Sequence, residues 1–389
     1  MDWELKKIKD YFAIGLRNGL TKPSKIRGAG IPMINMKEIF GYDVITDNTP
    51  MERVPVTDKE IESSSLEEDD LLFARQSLVE SGAGKISIFT GKNPTVFESH
   101  LIRCRIDKKK ACPKFIYYLF KSPIGIGTVS TIVHQVAAAG IKGSDLQELE
   151  FKFPQLTEQK AIASVLNSLD GKIDLLHRQN KTLENMAETI FRQWFIEEAQ
   201  EYWRTGNLPE EFEFIMGQSP PGSSFNENGV GVPMFQGNAD FGFRFPNERI
   251  YTTDPTRFAK KFDTLISVRA PVGAQNMALD DCCIGRGVAA FRYKLIKDGY
   301  TYAYFKLRSL MVEIKKFDDE GTVFGSISKS DFESLEVVIP PLSLVEDFEK
   351  TAKPINDKII QNCFQIKTLE KLRDTLLPKL MSGEVRVTV

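Results

Sequence analysis

The sequence predicts a mixed α/β (α+β) protein. Two globular domains of short strands and helices are joined by two long helices, which pair as an antiparallel coiled coil, and the whole carries a pseudo-two-fold internal repeat. Two observations carry this expectation: a sustained apolar seam that occurs twice, and loop-rich segments that occur twice between the seams.

The first seam runs through Ile162, Leu166, Leu169, Ile173, Leu176, Asn180, Leu183, Ala187, Ile190 and Trp194, in alternating steps of four and three. That is the a/d spacing of a coiled coil. The second runs through Phe348, Ala352, Ile355, Ile359, Asn362, Ile366, Leu369, Arg373, Leu376 and Leu380. Ordinary core helices also carry an apolar stripe, but four or more unbroken heptads in two matching places exceed what they need. Asn180 and Asn362 are the two amides on the seam. A buried polar seam residue costs stability and fixes register, so the two are expected to face each other, which would set Leu176 opposite Ile366.

The expected boundaries are a first domain over 1–153, a helical segment over 154–200, a second domain over 201–339, and a second helical segment with a tail over 340–389. In the first domain, apolar runs beginning at Gly30, Leu71, Lys85 and His100 read as strands, and Pro113–Lys121 reads as a helix with proline at its start. The second domain repeats the first. Gly30-Ile-Pro-Met matches Gly231-Val-Pro-Met, Asp69 to Arg75 matches Asp263 to Arg269, and Ile141 to Pro154 matches Ile327 to Pro340. The offset falls from one match to the next, so the second copy has shorter loops. A helix of about 43 residues spans roughly 65 Å. Such a helix carries the chain from the first domain to the second, and its partner must run back. The tail Gly383-Glu-Val-Arg-Val would then return to the first domain and could add a strand there. Pro354 is expected to bend the second helix or delay its start.

Composition excludes several classes. No apolar run approaches the ~20 residues of a membrane span, and the N-terminus is no signal peptide, so a cytoplasmic location with no membrane is expected. The five cysteines form no CxxC pair and the three histidines are widely spaced, so no metal site is expected. Net charge is −2. Residues 1–150 carry 21 basic and 20 acidic side chains, and 201–337 carry 16 and 19. Any nucleic-acid contact must therefore use a local patch and draw affinity from a partner.

No catalytic residues are expected. A GxxxxGK[ST] phosphate loop is absent, as is the Asn-Pro-Pro-Tyr/Phe tetrapeptide of DNA amino-methylating enzymes. Gly285-Arg-Gly-Val-Ala-Ala fits GxGxxA, but Ala289-Ala-Phe-Arg-Tyr after it reads as a strand, where a dinucleotide site needs a helix. The pairs Asp69-Asp70 and Asp280-Asp281 read as turn residues.

At this point the sequence resembles the specificity (S) subunit of type I restriction-modification systems. FPQLTEQKAIASVLNSLDGKID at 153–174, IPPLSLVEDF at 339–348, TLLPKLMSGEVRV at 375–387, MGQSPPG at 216–222 and SVRAPVG at 267–273 carry the resemblance together. It implies two target-recognition domains, each reading one half of a bipartite sequence in double-stranded DNA. It implies a helical pair that sets the unread spacer and docks two methyltransferase (M) subunits, with two restriction/motor (R) subunits completing the enzyme. S-adenosylmethionine, ATP and Mg²⁺ would belong to those partners, leaving this chain a non-catalytic subunit with no cofactor. In one departure, the first domain's counterpart to SVRAPVG, FARQSLVESGAGK at 73–85, is longer, so its base-reading loop would be shaped differently.

Base reading favours Arg or Lys for guanine and Asn or Gln for adenine, on loops at strand ends. The candidates are Gln236, Asn238, Arg269 and Arg286 in the second domain and Asn35, Arg75, Gln76 and Lys85 in the first, with Arg75 and Arg269 at matching places. Each could equally be a solvated or structural loop residue. Lys25 and Lys92 are candidate phosphate contacts. On the helices, Phe191, Phe195, Phe364 and Leu372 either form a partner-docking face or widen the core stripe. Other readings left open are a coiled-coil scaffold without DNA and an orphan DNA-binding regulator.

Overall fold

The structure, a computed structural model, describes residues 3–77, 82–135, 139–319 and 326–387. It divides into two compact units, Met1–Asp174 with Thr368–Val389, and Leu175–Lys367. Two long helices, Leu156–Arg192 and Leu342–Ser382, supply residues to both.

In the first unit, a five-stranded sheet runs in the order Arg17–Asn18, Leu101–Cys104, Leu71–Ala74, Ile86–Phe89, Val44–Ile45. Beside it, Ile31–Ile34 pairs antiparallel with Glu52–Val54 and parallel with Val96–Phe97. The helix Pro113–Lys121 starts at its proline and buries Phe115, Ile116 and Phe120. These pack with Phe73, Ile102, Phe151 and Phe153 and with Ile162, Leu166, Leu380 and Met381 from the long helices.

In the second unit, a four-stranded sheet runs in the order Phe212–Met216, Val288–Tyr293, Thr264–Ser267, Gln275–Met277. Beside it, Val232–Phe235 pairs antiparallel with Ile250–Thr252 and parallel with Cys282–Ile284. Its core joins Phe291, Tyr302, Phe305 and Phe332 to Phe191, Phe195 and Phe348 of the long helices. The first long helix closes in a wider turn, Gln193–Glu197, that keeps Phe195 against Phe191 with ring centroids 4.8 Å apart. Phe191 and Phe195 thus lie in the core stripe, while Phe364 and Leu372 are each 44% exposed.

Each long helix is entered the same way. Glu150–Phe153 pairs antiparallel with Glu4–Lys7, and Glu336–Ile339 with Arg204–Asn207, so the chain is held in a two-stranded clamp just before each helix begins. None of the seam residues is exposed. In the second unit Asn180 and Asn362 are fully buried, and the Asn362 side-chain amide donates to Asn180 Oδ1 at 2.8 Å and to Gln179 at 3.0 Å. In the first unit Arg373, on the seam, pairs with Asp170 at 3.0 Å, and Tyr118 donates to the other Asp170 oxygen.

Two expectations are corrected. Pro354 does not delay the second helix, which begins at Leu342 and continues through it. The bond lost at the Lys350 carbonyl is one among many, and Ala352, Asn356 and Ile359 on either side stay buried. Among its described residues the tail adds no strand. Gly383 takes φ +77, the left-handed conformation that ends a helix, and Arg386 then ion-pairs with Glu158 while Val387 packs on the first unit's core.

Two stability predictions follow from these buried polar groups. Asn362→Leu leaves Asn180 Oδ1 buried without this donor and should cost about 1–3 kcal/mol. The double change with Asn180→Leu should recover most of it, read by chemical denaturation. Glu349 accepts the Tyr302 backbone N–H at the start of the helix Tyr300–Ser309, and burial pushes its carboxyl up to about 7 from 4.5. A carboxyl raised on folding stabilises most below its unfolded value, and that contribution is lost as pH rises through its folded value. Glu349→Gln should therefore gain stability over the parent as pH is raised from 4.5 to 8, by up to roughly 3 kcal/mol, and little below 4.5.

Candidate nucleic-acid interface

Four strand ends of the second unit converge on one edge. Gly217 donates to the Val288 carbonyl, Gln218 to Ile284, Gly285 to Phe235 and Val268 to Gly287, all at 2.9–3.0 Å. The loops at 217–221, 236–240, 268–274 and 285–287 are thereby laced together at the same end of the sheets. Gly287 has no room for a side chain, since a Cβ there would sit 2.1 Å from the Gln236 carbonyl oxygen. Arg286 stands out from this tight turn, exposed, with its backbone N–H on Ser219 Oγ at 3.3 Å. Gln236, Asn238 and Arg269 are exposed on the same edge. The side chains of Gln236, Asn238, Arg269 and Arg286 have no polar partner among the described residues. The edge offers long donors on a backbone held rigid, which is what base-edge and phosphate contact asks for. Ser219 was overlooked by residue type, although it lies inside the quoted MGQSPPG stretch.

The first unit has an edge of the same construction. Leu20 donates to the Phe97 carbonyl, Glu98 to Ile34 and Arg75 to His100, at 2.8–2.9 Å. Here the candidates separate. Gln76 is exposed and Arg75 partly so, with no side-chain partner among the described residues. Asn35 is nearly buried and its amide is occupied, accepting from Arg27 and donating to the Met33 carbonyl, while its backbone N–H bonds Glu38 at the start of the helix Met36–Gly41. Lys85 is tied down too, donating to the Phe40 carbonyl at 2.9 Å and lying 5.5 Å from the centre of that ring. Lys85 lines an apolar cavity of about 380 Å³ with Phe120, Lys121, Ile126 and Val129. Of the phosphate candidates, Lys25 is exposed in the short turn Ser24–Ile26 after Gly19, whereas Lys92 follows the far end of the strand Ile86–Phe89. Within the stretch 73–85, residues 78–81 lie outside the described residues.

The match of Arg75 with Arg269 is corrected by one position. Arg75 N–H donates to His100 O and its carbonyl accepts from Ile141. In the second unit the residue with those two bonds is Val268, to Gly287 O and from Ile327. The residue after each closes the next pair, Gln76 with Gly140 and Arg269 with Ser326. Arg269 therefore corresponds to Gln76. The positive-φ residues preceding the strands, Asp69 and Phe262, give the same shift. A slip of one in a strand exchanges its faces, so the two arginines are not equivalent side chains.

The second edge is anchored to the long helices through the loop that follows Asn238. Buried Asp240 accepts the Gln236 N–H at 2.7 Å and pairs with Arg249. Arg244, fully buried, reaches Glu184 at 3.1 Å and stacks 3.9 Å over the Tyr304 ring. Phe245 meets Phe364, and Glu248 pairs with Lys367 at 3.3 Å. The acidic pairs keep to structural duties: Asp70 holds Arg105, and Asp280 and Asp281 hold Lys261 and Lys260. Among the described residues no group of three or more His, Cys, Asp or Glu could hold a metal, and no helix is long and apolar enough to cross a membrane.

The family described as the type I restriction modification DNA specificity domain matches residues 1–185 and 200–361. This chain belongs to that family. It is 32% identical to a chain of Methanocaldococcus jannaschii assigned as the MjaX type I restriction enzyme specificity subunit, over 99% of this chain and 94% of that one. It is 27% identical to the MjaIX specificity subunit of the same organism, again over 99% and 94%. The S subunit of the type I restriction-modification system of M. genitalium has the same fold, with a TM-score of 0.62 and 19% identity over 98% of this chain and 96% of that one.

The anchoring of the second edge is testable. Glu184→Ala strands the buried Arg244 guanidinium and should cost about 3–5 kcal/mol. The double change Glu184→Leu with Arg244→Met should be far milder, as measured by chemical denaturation.

Proposed function

We propose that this chain is the DNA sequence-specificity subunit of a type I restriction-modification complex. The globular parts, 1–153 and 201–339, are target-recognition domains, each reading one half of a bipartite site in double-stranded DNA. The observation that carries the reading is that the family match extends over both globular parts. The paired strand-end edges support it, because each presents exposed polar side chains on a backbone braced from several strands.

The long helices pair as an antiparallel coiled coil and set the gap between the halves. Support comes from within each unit: Asp170 meets Arg373, and Asn180 meets Asn362, so the partner number falls as the chain number rises. The recurrence of strand pairings, entry clamps and edge bonds supports an internal repeat related by a pseudo-two-fold axis. The exposed helix surface, with Phe364 and Leu372, docks two methyltransferase subunits, and two restriction/motor subunits join them. S-adenosylmethionine, ATP and Mg²⁺ are held by those partners. This chain performs no chemistry of its own, and its work is to choose where theirs occurs.

The test is a methylation map of cellular DNA after co-expression with the methyltransferase subunit of the same restriction-modification system. A single motif of two short defined halves around a fixed unread gap is expected. A stable complex that methylates without any such motif would contradict the reading.

A further inference from the structure

We propose that Ser99 and His100 contact DNA in the first target-recognition domain, at the place that Arg286 and Gly287 hold in the second. The proposal rests on the specificity reading above.

Backbone bonding assigns the equivalence, not residue type. Glu98 N–H donates to Ile34 O at 2.9 Å, and Gly285 N–H to Phe235 O at 2.9 Å. Leu101 N–H closes onto Glu98 O, and Val288 N–H onto Gly285 O, at 3.1 and 3.0 Å. His100 O accepts from Arg75, and Gly287 O from Val268. Gly84 donates to Ala74 O, and Gly273 to Ser267 O, with both glycines near φ +80. Between those fixed points the three-residue turn Glu98-Ser99-His100 takes the place of Gly285-Arg286-Gly287, with a different partner for the middle N–H: Ser99 donates to the Leu20 carbonyl at 2.9 Å, Arg286 to Ser219 Oγ at 3.3 Å. Residue-type reasoning passed the first turn over because it holds no Arg, Lys, Asn or Gln.

The chemistry of the turns differs. In the second domain one side chain rises from a turn of glycines, and Arg286 brings a planar fork of donors suited to guanine O6 and N7. In the first domain Glu98 is pinned, one oxygen accepting the Met36 N–H at 2.5 Å and the other 3.6 Å from His100 Nδ1. The Glu98 carboxylate thus lies beside the His100 ring, and the His100 side chain is 54% exposed. The Ser99 hydroxyl can donate or accept, so it tolerates more than one base. Asn35, whose amide is already occupied, acts here as a brace for the neighbouring loop. The half-site read by the second domain is thus expected to hold a guanine under Arg286. The half-site read by the first is met by a hydroxyl and an imidazole, and does not require a guanine at the matching place.

The experiment uses the full chain with its methyltransferase subunits. The motif is mapped first, and equilibrium binding is then measured on duplexes carrying that motif and single-base changes in each half. Ser99→Ala with His100→Ala should weaken binding roughly tenfold, with base choice relaxed in one half only. Arg286→Ala should do the same in the other half only. A uniform loss across sequences for the first variant would still place these residues on DNA, through phosphate. Binding and motif unchanged in a complex of parent stability would overturn the proposal. If the parent complex yields no bipartite motif, the specificity reading itself has failed, an outcome distinct from a neutral variant.

Discussion

The hydrogen bond between Asn362 and Asn180 is the constraint on which the rest depends. An apolar seam alone is nearly as content after a slip of one heptad, because Leu, Ile and Ala exchange at modest cost. A buried amide has no such freedom, for any slip leaves it without a partner in a dry interface. The ruler proposed above needs one preferred register, and the Asn362–Asn180 bond favours one. The Asp170–Arg373 pair adds a second polar contact of the same sense.

Within each unit the globular part packs directly against the long helices. Each long helix is entered through a two-stranded clamp, so a globular part has little slack against the helix that follows it. In the second unit the buried Arg244–Glu184 pair ties the loop after Asn238 directly to the first long helix. Burying that charge is costly in itself, and what it gives is a single orientation. The chain as a whole is nearly neutral, with a net charge of −2. Such a chain contributes little long-range attraction to phosphate, so its contribution lies in the choice of sequence.

Much of this was legible in the sequence. The seam positions, the two amides, the strands at Ile31, Leu71, Ile86 and Leu101, and the helix at Pro113 all follow from period and breakers. The equivalence of the two domains was legible within one residue. That residue matters: the runs Leu71–Ala74 and Thr264–Ser267 are buried throughout, so no alternation of exposed and buried faces distinguishes one register from the next. An arginine in each copy invited the wrong alignment, and the ladder bonds correct it. Asn35 illustrates a second limit. Its residue type suits adenine, but Arg27 and the Met33 carbonyl occupy its amide, which residue type alone does not reveal. Ser99 and His100 show the converse, being unremarkable as letters and placed at the edge only by the fold. The tail was misjudged because Val385 and Val387 suggest a strand, while Gly383 and Arg386 steer them into a cap on the helix.

The most direct test of the ruler is to lengthen it without changing its register. One heptad would be inserted in each long helix, between Ile173 and Asn180 in the first and between Asn362 and Leu369 in the second. Seven residues add about 10 Å of helix, which corresponds to about three base pairs of DNA. The motif methylated by the altered complex should keep both halves and widen its gap by about three. A gap unchanged in a correctly assembled complex would contradict the account.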